Sequence, residues 1–205
     1  MAFAPAVGGE VDGRLQEKRE SDDMSAGPPI FTIGHSTRSI AEFAELIRCG
    51  GVSLVVDVRT IPRSMRNPQY NEDVLGAELA QYQVGYTRIA DLGGLRGRSA
   101  GVPLAVNGFW ENQSFHNYAD YALSDRFADA LADLLKISST RRCALMCAEA
   151  VWWRCHRRII ADYLLARGRT VTHLMGADRL EPARLTRGSE LMDGKVVYPG
   201  HIRAN

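Results

Sequence analysis

The segment 146–158 holds the densest group of reactive side chains in the sequence. It places Cys147, Glu149, Cys155 and His156 between a strand-like run and a helix-like run. A thiol at a helix N-terminus, or beside arginine or histidine, has a lowered pKa and can act as a nucleophile. An acid two residues beyond Cys147 can orient such a group or serve as a general base. The segment therefore predicts a catalytic site that includes Cys147 and Glu149.

The same segment offers a second chemistry, because thiolates and imidazoles are also ligands of zinc and similar divalent metals. Cys147, Cys155 and His156 would supply three protein ligands. The spacing matches no standard zinc knuckle, and adjacent residues point in different directions if both lie on a helix. A divalent metal on these three residues stays an alternative, and Cys155 as a buried apolar filler stays another.

Polar or glycine residues also follow the other predicted strands. His35 is interpreted as an acid/base group or a ligand contact. A serine-hydrolase pair with Ser36 is disfavoured, because adjacent residues seldom form the required hydrogen bond and no third member is evident. The catalytic candidates are His35, Cys147 and Glu149. The substrate-binding candidates are Gly34, Ser36, Thr37, Asp57, Arg59, Arg66, Gly93, Gly94, Trp153 and Arg157.

Several of these candidates have an equally good structural interpretation. Asp57 and Arg59 alternate along a strand, so they face the same side and can pair with each other. Trp152 and Trp153 are either a stacking platform for a base or helix–sheet packing, and packing is favoured for one of the two. The glycine pair at 93–94 permits close approach of a ligand to the backbone, or it only forms a turn.

The elements expected to hold these residues alternate between strand and helix. Ser39 with Glu42 forms a capping-box pattern ahead of apolar residues at helical spacing. Helices are predicted after Ser39 and Asn71, and over 118–136 and 151–167, with a long loop over 91–117 and either an irregular tail or a small final element after 174. The predicted strands are 30–33, 53–58, 85–90, 143–147 and 170–174.

This alternation predicts the α/β fold class: one compact domain, with a mainly parallel sheet of about five strands and helices on both faces. Ligands bind such sheets outside the carboxyl ends of the strands, where the candidate residues fall. Residues 29–205 are assigned to the domain. Residues 1–28 are rich in Gly, Ala, Pro and charge and are expected to form a flexible, disordered N-terminal tail. Whether residues 1–23 are translated is left open, because Met24 is an alternative start.

The composition limits the class of partner. The chain has 205 residues, 45% hydrophobic and 24% charged, with a net charge of +1. This balance gives no bulk electrostatic case for nucleic acid or an anionic membrane. A local excess of arginine at the candidate segments nevertheless favours a small anionic ligand and keeps nucleic acid possible. These arginines are Arg38, Arg59, Arg63, Arg66, Arg96, Arg98, Arg154, Arg157 and Arg158.

The sequence shows neither a signal peptide nor an apolar stretch of membrane-spanning length, so a cytoplasmic location without membrane association is expected. The four cysteines are then expected to be thiols, metal ligands or nucleophiles rather than disulfides.

The chain is similar to the bacterial and archaeal family called domain of unknown function 488 (DUF488). The similarity rests on Thr-Ile-Gly-His-Ser-Thr at 32–37, Val-Asp-Val-Arg at 56–59, Met-Cys-Ala-Glu at 146–149 and Cys-His-Arg at 155–157, with 62–68 and 92–94 between them. One departure is Met65, which separates Ser64 from Arg66. The resemblance implies a compact α/β domain and the importance of these motifs, but no settled reaction.

The first hypothesis is an enzyme that acts on a small anionic substrate, nucleotide-like or phosphate-like, with Arg59, Arg66 and Arg157 holding the anion. The alternatives are a metal-binding or metal-sensing protein and a non-catalytic module that binds a nucleotide or nucleic acid. Sulfur transfer through Cys147 is disfavoured, because no six-residue active loop surrounds it. The substrate and the oligomeric state are left open.

Overall fold

The structure is a computed structural model, and it describes residues 27–176 and 179–200. Residues 1–26, most of the predicted tail, lie outside the described residues. The strands are β1 (Ile30–Gly34), β2 (Leu54–Asp57), β3 (Gly85–Arg88), β4 (Cys143–Cys147), β5 (Val171–Gly176), β6 (Arg179–Pro182), β7 (Glu190–Met192) and β8 (Lys195–Val197). The helices are α1 (Ile40–Cys49), α2 (Glu72–Ala80), α3 (Gln113–Tyr121), α4 (Asp125–Ser138) and α5 (Arg157–Leu165).

The main sheet has the strand order β3-β2-β4-β1-β5-β6. The first five strands in this order are parallel, and β6 pairs antiparallel with β5. The register pairs Gly34 with Cys147 and Asp57 with Met146, so the carboxyl ends of β1, β2 and β4 meet at one edge. The predicted mainly parallel sheet is confirmed. The sequence left open a small final element after β5, and the structure forms three short strands there, β6, β7 and β8. They were not placed individually, because β6 and β7 are short and mostly exposed and so carry little apolar pattern.

Helices cover both faces of the sheet, as predicted. Val55 faces the core under α1 and α2, whereas its neighbour Val56 faces the core under α3, α4 and α5. A strand buried on both faces needs a continuous apolar run, and Leu-Val-Val in β2 supplies it. The domain is therefore a single compact three-layer α/β unit.

The start of α1 follows the sequence prediction closely. Ser39 is the N-cap, and its hydroxyl accepts from the Glu42 backbone N–H while the Glu42 carboxylate accepts from the Ser39 N–H. Asn71 also occupies an N-cap position, before α2, but its side chain accepts from the backbone N–H of Ser64 instead. The Asn71 side chain therefore fixes the loop after β2 rather than the helix.

The predicted single helix over 118–136 is wrong, because the chain forms two helices there. Ser124 interrupts the segment as the N-cap of α4, and its hydroxyl accepts from the Phe127 N–H. Asn112 caps α3 in the same way, so α3 begins within the predicted 91–117 loop. Ser and Asn compete for backbone hydrogen bonds and therefore start helices more often than they continue them.

The predicted helix over 151–167 is also wrong in its first part. A short 3-10 turn covers Trp152–Arg154, and Cys155 has an extended backbone before α5 begins. Gly168 closes the helical segment with a φ of +72°, a left-handed conformation that suits glycine. The extended backbone at Cys155 removes the objection that Cys155 and His156 must diverge.

Candidate functional site

A cavity of about 340 Å³ opens beyond the carboxyl ends of β2 and β4. Its volume is that of a small-molecule site. The described residues that line it are Arg59, Thr60, Ile61, Gly94, Leu95, Ser114, Phe115, Tyr118, Cys147, Ala148, Glu149, Arg154, Cys155 and His156. Arg59, Cys147 and Cys155 are buried, whereas Ile61 and Leu95 are exposed. The cavity therefore has a buried, reactive side and an exposed, apolar side.

The side chain of Arg157 is 1% exposed and lies against Cys155. Its Nε donates to Cys155 Sγ at 3.2 Å, and its Nη2 donates to the Glu149 carbonyl at 2.5 Å. Arg157 forms no ion pair with an acidic side chain anywhere in residues 27–176 or 179–200. A buried guanidinium requires a compensating negative group. The sulfur of Cys155 is placed to be that group.

The two buried cysteines divide the roles of donor and acceptor. Burial alone would raise the pKa of the Cys155 thiol, but hydrogen bonding from Cys147 and the charge of Arg157 hold that pKa well below its ordinary value. The pKa of Cys147 is raised, because its thiol donates to Cys155 and is itself buried. These directions, together with the Arg157 Nε contact, make Cys155 rather than Cys147 the candidate thiolate of the pair.

His156 presents one ring nitrogen to this pair. Its Nε2 lies 2.9 Å from the Val58 carbonyl and donates to it, which leaves Nδ1 facing Cys155 Sγ at 3.6 Å. Gly94 lies beside the same ring: a Cβ at position 94 would come within 2.4 Å of His156 Nδ1. Glycine at position 94 therefore gives the imidazole the space that it occupies.

The cysteine–histidine group also has the composition of a metal site. The ligand atoms of Cys147, Cys155 and His156 all lie within 4.8 Å of one another. Two thiolates and one imidazole can hold zinc and leave a position for water or substrate. The hydrogen bond from His156 Nε2 to a backbone carbonyl is the kind of second interaction that orients a metal-bound histidine.

His35 is buried beside this site but does not line the cavity. Its Nδ1 donates to the Ser36 carbonyl at 2.8 Å, and its Nε2 accepts from Arg59 Nη1 at 3.3 Å. The ring stacks on Tyr70 with centroids 4.1 Å apart. Burial is the main cause that lowers the pKa of His35 to about 4. His35 is therefore neutral at pH 7, with both ring nitrogens hydrogen-bonded.

The sequence left open whether Asp57 and Arg59 bind a ligand or pair with each other, and in the structure they form an ion pair. Arg59 Nε donates to Asp57 Oδ1 at 2.8 Å, and Nη2 donates to Oδ2 at 2.5 Å. The hydroxyl of Tyr86 also donates to Asp57, and Arg59 Nη2 donates to the Tyr70 carbonyl. Both charged side chains are buried, so this pair fixes the end of β2 and directs Arg59 to the cavity.

The remaining candidates after β1 contact the loop that follows β4. A Cβ at Gly34 would lie 1.9 Å from the Glu149 carbonyl oxygen, so only glycine allows this approach. Ser36 has a φ of +52°, and its N–H donates to the Ala148 carbonyl. Thr37 is exposed. None of Gly34, Ser36 and Thr37 lines the cavity.

Three further candidates also lie away from the cavity lining. Gly93 packs against Thr60, where a Cβ would meet Oγ1 at 2.5 Å. Arg66 is exposed, and Trp153 is 39% exposed with its edge on Trp152. Trp152 stacks on His173 and donates to Glu181, so this tryptophan serves packing.

The structure thus brings Arg59, Gly94, Cys147, Glu149, Cys155 and His156 together at one cavity. Sequence reasoning did not select Ser114, Phe115 and Tyr118, because the α3 start was hidden in a predicted loop. Arg154 was noted only as one of many arginines. Its position between the two cysteines was the available signal.

These features define an α/β protein with a parallel sheet and a thiol–imidazole–guanidinium site at the carboxyl ends of its strands. A family model described as "Domain of unknown function DUF488" matches residues 39–164, more than half of the chain. The chain belongs to this family. The matched range includes Cys147, Cys155 and His156 but not His35.

No curated protein and no solved structure matches the chain. Within the described residues, no helix has the length and apolar character to cross a membrane.

Proposed function

We propose that this protein is an enzyme that acts on a small anionic substrate in the cavity, with the Cys155 thiolate as nucleophile. The observation that carries the proposal is the buried contact between Arg157 Nε and Cys155 Sγ. A thiolate is far more nucleophilic than a thiol, and an adjacent guanidinium is one of the arrangements that stabilises it. Burying such a charge pair is costly, so its presence beside a cavity favours a chemical role over packing.

The groups around Cys155 suit substrate binding and proton transfer. Arg154 lines the cavity, is exposed, and forms no ion pair within residues 27–176 and 179–200, so its guanidinium is available to an anion. The second cavity arginine, Arg59, already shares its charge with Asp57. Glu149 lines the same cavity, is exposed, and is the group available to exchange a proton with substrate or water, whereas the proton of Cys147 is directed to Cys155.

This proposal changes two roles expected from sequence. His35 becomes a residue that positions Arg59, since both of its ring nitrogens are occupied. Arg157 becomes the partner of the nucleophile rather than of the substrate, and Arg154 takes over the contact with the anion.

Site-specific alkylation tests the nucleophile. Purified protein is treated with limiting iodoacetamide near pH 7, and the modified cysteines are located by mass spectrometry. Cys155 is expected to react in preference to Cys143, which is buried in the core and whose pKa burial raises to about 11. Preferential reaction of Cys143, or no reaction at Cys155 while exposed Cys49 is modified, contradicts the proposal.

A turnover screen tests the enzyme. Phosphate monoesters and nucleotides are incubated with the wild type, C155S and the matched control C143S. Turnover by the wild type and C143S but not by C155S supports the proposal. Ligand binding without turnover that survives C155S favours the non-catalytic binding module instead.

A metal centre is the second candidate function, favoured by the convergence of Cys147, Cys155 and His156 within 4.8 Å. Elemental mass spectrometry of untagged protein, purified without chelators, measures its metal content. About one zinc or iron per chain, lost in C155S and retained in C143S, would assign the three residues as ligands. Absence of metal, together with alkylation of Cys155, would leave the thiolate role in place.

A further inference from the structure

We propose that the substrate carries its anionic group on a flat apolar body, such as an aromatic ring, and that the exposed side of the cavity binds this body. This inference rests on the proposed function, because it names the class of substrate for the same site.

The first support is the exposure of two apolar side chains at the cavity. Ile61 is 62% exposed and Leu95 is 71% exposed, and both line the cavity. They come from separate loops, after β2 and after β3, which the fold brings to one opening. Large apolar side chains that gather around a concave site indicate a ligand with apolar surface. A small inorganic anion would leave both side chains in water.

The second support is a rigid aromatic wall. Phe115 and Tyr118 lie on one turn of α3 and line the same cavity. Phe115 is half-buried and stacks on Trp110, so it presents ring surface, whereas Tyr118 is 1% exposed and supports the wall from behind. Tyr118 is held in place, since its hydroxyl donates to the Leu92 carbonyl at 2.7 Å and its ring lies 5.0 Å from the His156 ring. A fixed aromatic surface binds a flat ring well, because neither partner loses much conformational freedom.

The two sides of the cavity then set the orientation of the substrate. Cys155, Cys147 and Arg59 are buried, whereas Ile61 and Leu95 are at the exposed side. An anionic group held by Arg154, which lines the cavity from an exposed position, would lie in the same site as Cys155, and an apolar body would rest against the loops and α3. The volume of about 340 Å³ accommodates such a molecule.

A matched pair of non-hydrolysable probes tests the inference. Methylphosphonate and phenylphosphonate carry the same anionic group and differ in the apolar body. Their dissociation constants for the full chain are measured by isothermal titration calorimetry. Phenylphosphonate is expected to bind at least about tenfold more tightly, since burial of an aromatic ring supplies that difference.

Variants of the apolar side then locate the effect. I61S and L95S are expected to weaken the binding of phenylphosphonate at least about threefold, while the binding of methylphosphonate stays unchanged. L104S is the control, because Leu104 is 58% exposed but lies outside the cavity lining. R154Q is expected to weaken the binding of both phosphonates, because both carry the anionic group.

The outcomes separate the inference from the proposed function. Equal binding of the two phosphonates, or loss of phenylphosphonate selectivity in L104S but not in I61S and L95S, overturns the apolar-body inference alone. Failure of both probes and of phenol to bind overturns the inference and the anionic substrate together. Tight binding of phenol, together with phosphonate binding that R154Q leaves unchanged, retains the apolar wall and overturns the anionic group.

Discussion

The Nε atom of Arg157 lies 3.2 Å from Cys155 Sγ, and both side chains are buried. The guanidinium is held on its other side by the Glu149 carbonyl, so it cannot turn toward the solvent without breaking that hydrogen bond. The charge of Arg157 is therefore fixed beside the sulfur. This relationship predicts that any reactivity of Cys155 depends on Arg157, which does not itself line the cavity.

The first prediction concerns that dependence. R157M removes the positive charge and keeps an apolar side chain of comparable length. The pH at which alkylation of Cys155 reaches half its maximal rate is expected to rise by at least about one unit, since the positive charge that stabilises the thiolate is lost. The rate is measured at a series of pH values by mass spectrometry with exposed Cys49 as internal reference. An unchanged midpoint pH for Cys155 modification would show that Arg157 does not activate the thiol.

The second prediction concerns Gly94. A Cβ there would lie 2.4 Å from His156 Nδ1, a ring that is anchored by Val58 and cannot simply swing away. G94A is expected to lower the free energy of unfolding by about 1–3 kcal/mol, as overpacking does. Urea unfolding followed by fluorescence gives the value.

Gly97 provides the control for Gly94, because it lies in the same loop with open space around its Cβ position. G97A is expected to change stability by less than about 0.5 kcal/mol. Equal effects of G94A and G97A would mean that the loop tolerates displacement and that contact with His156 does not matter.

The sheet and most of its helices could be predicted from sequence, because local signals specify them. The buried run in β2 and the capping box at Ser39 are complete within a few residues. The break at Ser124 was missed because apolar residues keep helical spacing across it. The strand β6 was not identified because its four residues are mostly exposed and carry no clear strand pattern, and its pairing with β5 is what makes it a strand.

The candidate site could be predicted in position but not in detail. Parallel topology brings the strand ends together, and this placed Cys147 and Arg59 correctly at one edge. Which side chains face the cavity depends on backbone conformation that no spacing encodes. The extended residue Cys155 is the example: it turns the sulfur toward His156, where a continuous helix would have separated them.

The third prediction concerns pH. His173 is buried, stacked on Trp152, and its Nδ1 lies 2.7 Å from Thr32 Oγ1. Burial, then the charge of Arg157, lowers the pKa of His173 to about 4, although Glu181 opposes the shift. The unfolded chain takes up a proton near pH 6.5, before the folded protein does. The contribution of His173 to the free energy of unfolding is therefore complete above pH 6.5 and is lost as the pH falls toward 4.

The loss from His173 amounts to about 3 kcal/mol at most across this window. Urea unfolding at a series of pH values between 7 and 4 measures it. H173N removes the titrating group, so its stability should decline less steeply over the same window. His35 acts in the same direction and leaves a residual slope. A slope in H173N equal to that of the wild type would show that folding does not lower the pKa of His173.

The fourth prediction compares two arginine–carboxylate pairs. Asp57 and Arg59 are buried, and Tyr86 donates a further hydrogen bond to the carboxylate. D57N keeps the shape but leaves the Arg59 charge without a counter-ion, so the free energy of unfolding should fall by about 3–5 kcal/mol. Glu45 and Arg48 form the exposed counterpart on α1, where E45Q should cost no more than about 0.5 kcal/mol. Chemical denaturation of both variants measures the two losses. Comparable small losses would mean that solvent reaches Arg59, and its charge would then be free to bind an anion in the cavity.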